Sequence, residues 1–160
     1  MRSDPGPVYW QAQAAALKFL GTRLKTEAQV DQKLQTLGYP EEIREAVMAF
    51  LREYGYVNDA GFCDSFIRDR VRFHPCGRFR LEMELRQKGV EPAVIHAALD
   101  RAELDETGEV LELLRRKRFD AAQATPEEKR KIATFLQRRG FSRETVREAF
   151  RLAAEENRDE

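Results

Sequence analysis

Three glycines set the period of this chain. Gly38, Gly89 and Gly140 stand 51 residues apart, in the stretches KLQTLGYP (33–40), ELRQKGVE (84–91) and FLQRRGFS (135–142). A fixed period decides architecture before any single motif does, because each copy must fold as the same small unit. Eight residues before each glycine stand Val30, Leu81 and Ile132; four before stand Leu34, Leu85 and Leu136; one after stand Tyr39, Val90 and Phe141. All nine are apolar. Each pair at −8 and −4 lies on one helical face, so these six side chains are expected in a core. The glycine then supplies the left-handed cap that turns the chain back.

A second amphipathic segment follows each glycine, marked by Ile43 and Val47, by Ile95 and Leu99, and by Val146 and Phe150; in the first copy it begins one residue sooner. A further helix precedes each pair, read as Ala15 to Leu24, Phe62 to Phe73 and Val110 to Lys117. Start signals agree with this division. Thr26-Glu27-Ala28-Gln29 and Thr125-Pro126-Glu127-Glu128 fit capping boxes, the second with proline at the first helical position. Asn58 or Asp59 suits the start of the fourth helix, Pro92 that of the sixth and Ser142 that of the ninth. The predicted fold is all-α: three tandem three-helix repeats, nine helices, in an elongated or curved array. The repeats span 8–57, 58–104 and 105–155, with a flexible tail at 1–7 and a C-terminal tail at 156–160. A unit of this size buries little alone, so neighbours are expected to share surface.

Enzyme chemistry finds no support in the residues. The chain has no GxxxxGK[ST], HExxH or GxSxG, and its acidic residues alternate with basic ones as on solvated helix faces. Cys63, His74, Cys76 and His96 lack the spacing that presents two ligands to one ion, so neither metal nor cofactor is expected. Cys63 reads as a small core residue. No apolar run reaches the roughly 20 residues of a membrane helix, and MRSDPGP lacks the apolar stretch of a signal peptide. A cytoplasmic monomer is expected.

Charge is informative only in its distribution. The chain holds 28 Lys/Arg and 28 Asp/Glu, so no global field draws in a polyanion. Yet Ser65 to Lys88 holds seven basic residues against three acidic, Glu91 to Glu112 one against seven, and Arg115 to Arg151 twelve against five. The basic positions are Arg68, Arg70, Arg72, Arg78, Arg80, Arg86 and Lys88, then Arg115, Arg116, Lys117, Arg118, Lys129, Arg130, Lys131, Arg138 and Arg139. Cations near helix C-termini complement the macrodipole, which accounts for Arg86, Lys88, Arg138 and Arg139 taken singly. It does not account for crowding in the second and third repeats and its absence from the first, where Leu37 precedes Gly38. Such clusters are the electrostatic footprint of a polyanionic partner. Phe73 and Phe79 lie among them and are expected to serve the core.

Three motifs in joint order carry a family resemblance. Tyr56-Val57-Asn58-Asp59 followed by Phe62, GRFRLEMELRQKGV (77–90) and TPEEKRKIATFLQRRGFS (125–142) resemble the RecX family of recombination regulators, over residues 14–152. Cys63, where alanine is common, and the linker Phe73-His74-Pro75-Cys76 depart from the family pattern. The resemblance implies tandem three-helix units that bind the RecA–DNA filament and modulate, most often inhibit, ATP hydrolysis and strand exchange. It also implies non-specific, weaker binding of single- and double-stranded DNA, and the sixteen basic residues are its candidate contacts. Two other readings stay open from the residues alone: a helix–turn–helix-like reader of DNA sequence, and a helical scaffold for other proteins.

Overall fold

The structure, a computed structural model, describes residues 4–159, which form nine α-helices and no strand. The helices are α1 (Pro7–Leu20), α2 (Glu27–Thr36), α3 (Glu41–Glu53), α4 (Asp59–Phe73), α5 (Arg78–Gln87), α6 (Pro92–Arg101), α7 (Glu106–Arg116), α8 (Pro126–Arg138) and α9 (Arg143–Asp159).

The glycine period is a period of backbone geometry. Gly38, Gly89 and Gly140 have φ of 90°, 86° and 89°, a region where a β-carbon is strained. Each amide after a glycine closes back on the carbonyl five residues earlier: Tyr39 on Leu34 at 3.1 Å, Val90 on Leu85 at 3.2 Å and Phe141 on Leu136 at 3.2 Å. The glycine amides reach Gln35, Arg86 and Gln137, each at 2.9 Å. This is the Schellman pattern, which satisfies carbonyls that a helix end leaves open.

Two compact units can be described separately. The first comprises Met1–Ser65 and Leu85–Ala98. Its core gathers Tyr9, Ala12, Ala16 and Leu20 from α1, Val30 and Leu34 from α2, and Val47, Met48 and Leu51 from α3. The second comprises Phe66–Glu84 and Leu99–Glu160. Its core gathers Val110, Leu113 and Leu114 from α7, Leu136 from α8, Phe141 beyond the turn, and Val146, Ala149 and Ala153 from α9. The middle repeat thus contributes residues to both units.

Capping follows the expected chemistry. Thr26 Oγ1 accepts from Gln29 N while Gln29 Oε1 accepts from Thr26 N, a complete capping box. Thr125 accepts from Glu128 N, and Ser142 from Thr145 N. Asn58 rather than Asp59 caps α4, through Gly61 N at 3.0 Å. Asp59 instead accepts from Glu27 N at the start of α2.

Some sequence expectations shift. α1 starts at Pro7, not Ala15, and ends at Leu20, before Gly21 at φ 51°. Half of its buried face is alanine, Ala12 and Ala16, which weakens the periodic signal, and Leu24 lies outside it, 60% exposed. Ile132 is half-buried, whereas Val30, Leu34, Leu81, Leu85 and Leu136 are buried. Residues 156–159 continue α9 instead of forming a tail; residue 160 lies outside the described residues. Of the N-terminal tail, residues 1–3 also lie outside them. Asp4 Oδ1 accepts from Gly6 N and Trp10 Nε1, both at 3.0 Å, and so is tied to the start of α1.

Candidate polyanion-binding surface

Basic side chains that are adjacent in sequence meet three different fates. The first is internal neutralisation. Glu84 bridges Arg70 at 2.6 Å and Arg80 at 3.1 Å, and Arg78 pairs with Asp100 at 2.9 Å. Arg115 meets Glu156 at 2.8 Å and Glu112 at 3.5 Å, and Arg116 also reaches Glu112. Arg68 and Arg86 are exposed on α4 and α5, and Arg72 lies 5.1 Å from the Phe73 ring. Arg118 follows α7 in the left-handed region, at φ 55°, with Phe119 N closing on Leu114 O at 3.0 Å. It occupies the position that glycine takes in the three periodic turns.

The second fate is a clasp between repeats, seen once in each unit. In the first unit Thr26, fully buried, donates its hydroxyl to Lys88 O at 2.6 Å. A β-carbon on Gly89 would stand 2.3 Å from that of Ala28. In the second unit, Gly77 N donates to Arg139 O at 2.6 Å, and a β-carbon on Gly140 would meet Arg80 N at 2.5 Å. The arginines reinforce this contact. Arg80 donates to Arg138 O and Arg139 to Pro75 O, both at 3.2 Å, while the Arg139 guanidinium lies 4.7 Å from the Phe135 ring. The turn of one repeat therefore seats on the start of the second helix of the repeat before it.

The third fate is an open face. On α8, Arg130, Lys131, Thr134 and Arg138 line a concavity of about 510 Å³ with Glu127 and Phe135. Among the described residues Lys129, Arg130, Lys131 and Arg138 form no ion pair. Lys117 adds its ammonium 4.1 Å from the Phe135 ring.

A related groove in the first unit was not apparent from the sequence. Phe19, Lys25, Ala28, Gln29, Gln32, Lys33, Thr36 and the turn at Gln87, Lys88 and Gly89 enclose about 500 Å³. The Lys25 and Lys33 ammonium groups lie 4.7 and 5.7 Å from the Phe19 ring. Lys25, Ala28, Gln29, Gln32, Lys33 and Thr36 are each two periods before Glu127, Arg130, Lys131, Thr134, Phe135 and Arg138. The same face of the second helix is thus hollowed in both repeats. One period on from Ala28 and Gln32, α5 exposes Phe79 and Met83 by 66% and 55%. Phe73 and Phe79 are therefore surface residues and not core. The lysines of the first groove form no cluster in the sequence, because Lys25 and Lys33 stand singly and meet Lys88 only on folding.

Family models for the first, second and third three-helix domains of RecX match residues 12–51, 58–99 and 105–150. The chain belongs to the RecX family. The regulatory protein RecX of Halorhodospira halophila is 35% identical over 158 residues, covering 97% of this chain and 96% of that protein. The protein of the same name from Mycolicibacterium smegmatis is 34% identical over 150 residues, covering 87% and 77%. The crystal structure of RecX from Lactobacillus salivarius superposes with a TM-score of 0.83 at 21% identity, covering 91% of this chain and 96% of that one. The RecX fold therefore accounts for all three repeats. Among the described residues, no helix is long and apolar enough to cross a membrane.

Proposed function

We propose that this RecX-family chain regulates the RecA recombinase by binding the RecA–DNA filament and lowering its ATP hydrolysis and strand exchange. The observation that carries the reading is the hollowed second-helix face, repeated in register and edged with lysine and arginine. A surface repeated along the chain suits a polymeric partner, because successive repeats can meet successive equivalent sites. On α8 the cations Arg130, Lys131 and Arg138, without ion pairs among the described residues, contact phosphate or acidic filament surface, and Lys25 and Lys33 of the first repeat with Lys88 of the second do so at the groove of the first unit. Arg68, Arg72, Arg86, Lys117, Arg118 and Lys129 contribute at the margins. The ion-paired Arg70, Arg78, Arg80, Arg115 and Arg116, and the clasping Arg139, serve mainly to hold the scaffold. The chain acts as a cytoplasmic monomer, by binding and without catalysis. DNA free of RecA is held more weakly and without sequence preference, since the net charge is zero.

The test is RecA ATP hydrolysis on single-stranded DNA, with co-sedimentation, for the wild type and for Arg130→Gln/Lys131→Gln/Arg138→Gln. The wild type should suppress hydrolysis substantially. The variant should lose most of that effect with its helix content unchanged, and its DNA binding should lose about one unit of salt slope per phosphate contact removed. Tight sequence-selective duplex binding with no effect on hydrolysis would favour a DNA reader instead.

A further inference from the structure

A small cavity in the second unit stands apart from the hollowed helix faces. It encloses about 170 Å³ and is lined by Arg70, His74, Pro75, Cys76, Arg80 and Arg139. The end of α4, the linker after it and the first turns of α5 form its walls, and the turn after α8 supplies Arg139. Three guanidiniums therefore converge on one confined space. Glu84 is the acid bonded to them, shared between Arg70 and Arg80.

The arginines are held in advance of any ligand. Arg80 is fixed by Glu84 and Arg138 O, Arg139 by Pro75 O and the Phe135 ring, and Arg70 by Glu84. Arg70 Nε is nevertheless buried with no acceptor. A charged donor in that position is costly, so the Arg70 guanidinium is held beside the cavity with its hydrogen-bonding capacity only partly used. Of the remaining walls, the Cys76 thiol is kept protonated by burial, which outweighs the pull of Arg70. Glu109, the other acid felt at that thiol together with Glu84, is itself favoured in its neutral form by burial. Neither group adds an anion that would satisfy all three arginines.

We propose that Arg70, Arg80 and Arg139 form a binding site for a phosphoryl oxyanion. Guanidinium forks match phosphate oxygens in pairs, and a tetrahedral anion offers enough acceptors for three of them, where a carboxylate offers two oxygens. Because Arg139 belongs to the clasp between the second and third repeats, an occupied site also tightens that clasp. The phosphoryl group can come from free phosphate or from a nucleic-acid backbone; the chemistry of recognition is the same.

The experiment uses the full chain without RecA, so its outcome is independent of the filament reading. The arginine Nε–H resonances are followed by nuclear magnetic resonance during titration with inorganic phosphate, with chloride and acetate as matched ionic-strength controls. Arg70, Arg80 and Arg139 should shift together and saturably with phosphate alone, while Arg115 and Arg151 stay nearly still. A short thymidine oligonucleotide without terminal phosphates forms a second arm. Shifts with both ligands assign the site to backbone phosphate as well, and shifts with phosphate only assign it to a free phosphoryl group. Arg70→Lys, which keeps the charge but not the fork, should weaken binding at least fivefold. If that variant fails to fold, the wild-type titration alone decides. No saturable shift at Arg70, or an equal response to chloride, overturns the proposal.

Discussion

Left-handed backbone positions separate local strain from packing at the level of single residues. Gly38 has open space around its α-carbon, so Gly38→Ala should cost only the conformational strain, about 1 kcal/mol. Gly140 has the same φ but stands against the backbone of Arg80, and Gly140→Ala should cost about 2–4 kcal/mol because the clasp must open. Arg118→Gly should go the other way, gaining about 0.5 kcal/mol as relief of strain exceeds the added freedom of the unfolded chain. Urea denaturation of the three variants checks the order; equal losses at Gly38 and Gly140 would remove the argument for close packing. Glu109 presents a different residue-scale problem. One of its carboxylate oxygens is buried without a partner, and burial, with the Glu106 and Asp105 carboxylates nearby, pushes its carboxyl from 4.5 up to about 7. A carboxyl raised in the folded state stabilises below its unfolded value, and that contribution is lost as pH rises through the folded one. Stability from this group should therefore fall between pH 4.5 and about 7. Glu109→Gln should flatten that fall and gain on the order of 1 kcal/mol at pH 8, a modest figure because the residue is only half-buried. Thermal melts of both proteins across this range measure it.

Helix α2 shows how one side chain can start an element and join it to another. Thr26 caps α2 through Gln29 N at 3.1 Å and holds the Lys88 carbonyl at 2.6 Å. Thr26→Val keeps the shape and removes both bonds, so it should cost about 2 kcal/mol, combining a lost cap with a carbonyl left buried. Thr26→Ser keeps the hydroxyl and should cost less than about 1 kcal/mol. A valine variant as stable as wild type would mean that water replaces both bonds. Helix starts and stops were legible beforehand because capping depends on neighbours three or four residues away. The start of α1 was not, since alanine fits a buried face and an exposed one equally well.

The molecule as a whole depends on the middle repeat receiving support within both units. In the first unit its turn at Lys88 and Gly89 seats on Thr26 and Ala28; in the second its start at Gly77 and Arg80 receives Arg138, Arg139 and Gly140. Residues 58–104 expressed alone should therefore lose most of their helical circular dichroism. Residues 105–155 should keep more, because Val110, Leu114, Leu136, Phe141 and Ala149 already form a core. A cooperatively folded fragment 58–104 would defeat this dependence.

The sequence by itself determined the repeat, the turns and most of the core positions, because these follow from spacing along one helix and from the unique backbone freedom of glycine. Leu34, Leu85 and Leu136 could be placed four residues before their glycines without any tertiary information. Tertiary structure alone decided which cations are available. Arg115 and Arg130 look alike in sequence, yet one is held by Glu156, 41 residues away, and the other faces an open concavity. Phe79 was expected in the core and emerged exposed, while Lys88 joined Lys25 and Lys33 from a distant part of the chain. Pairing and exposure depend on which elements meet, and that is settled by packing between repeats and not by the order of residues within one.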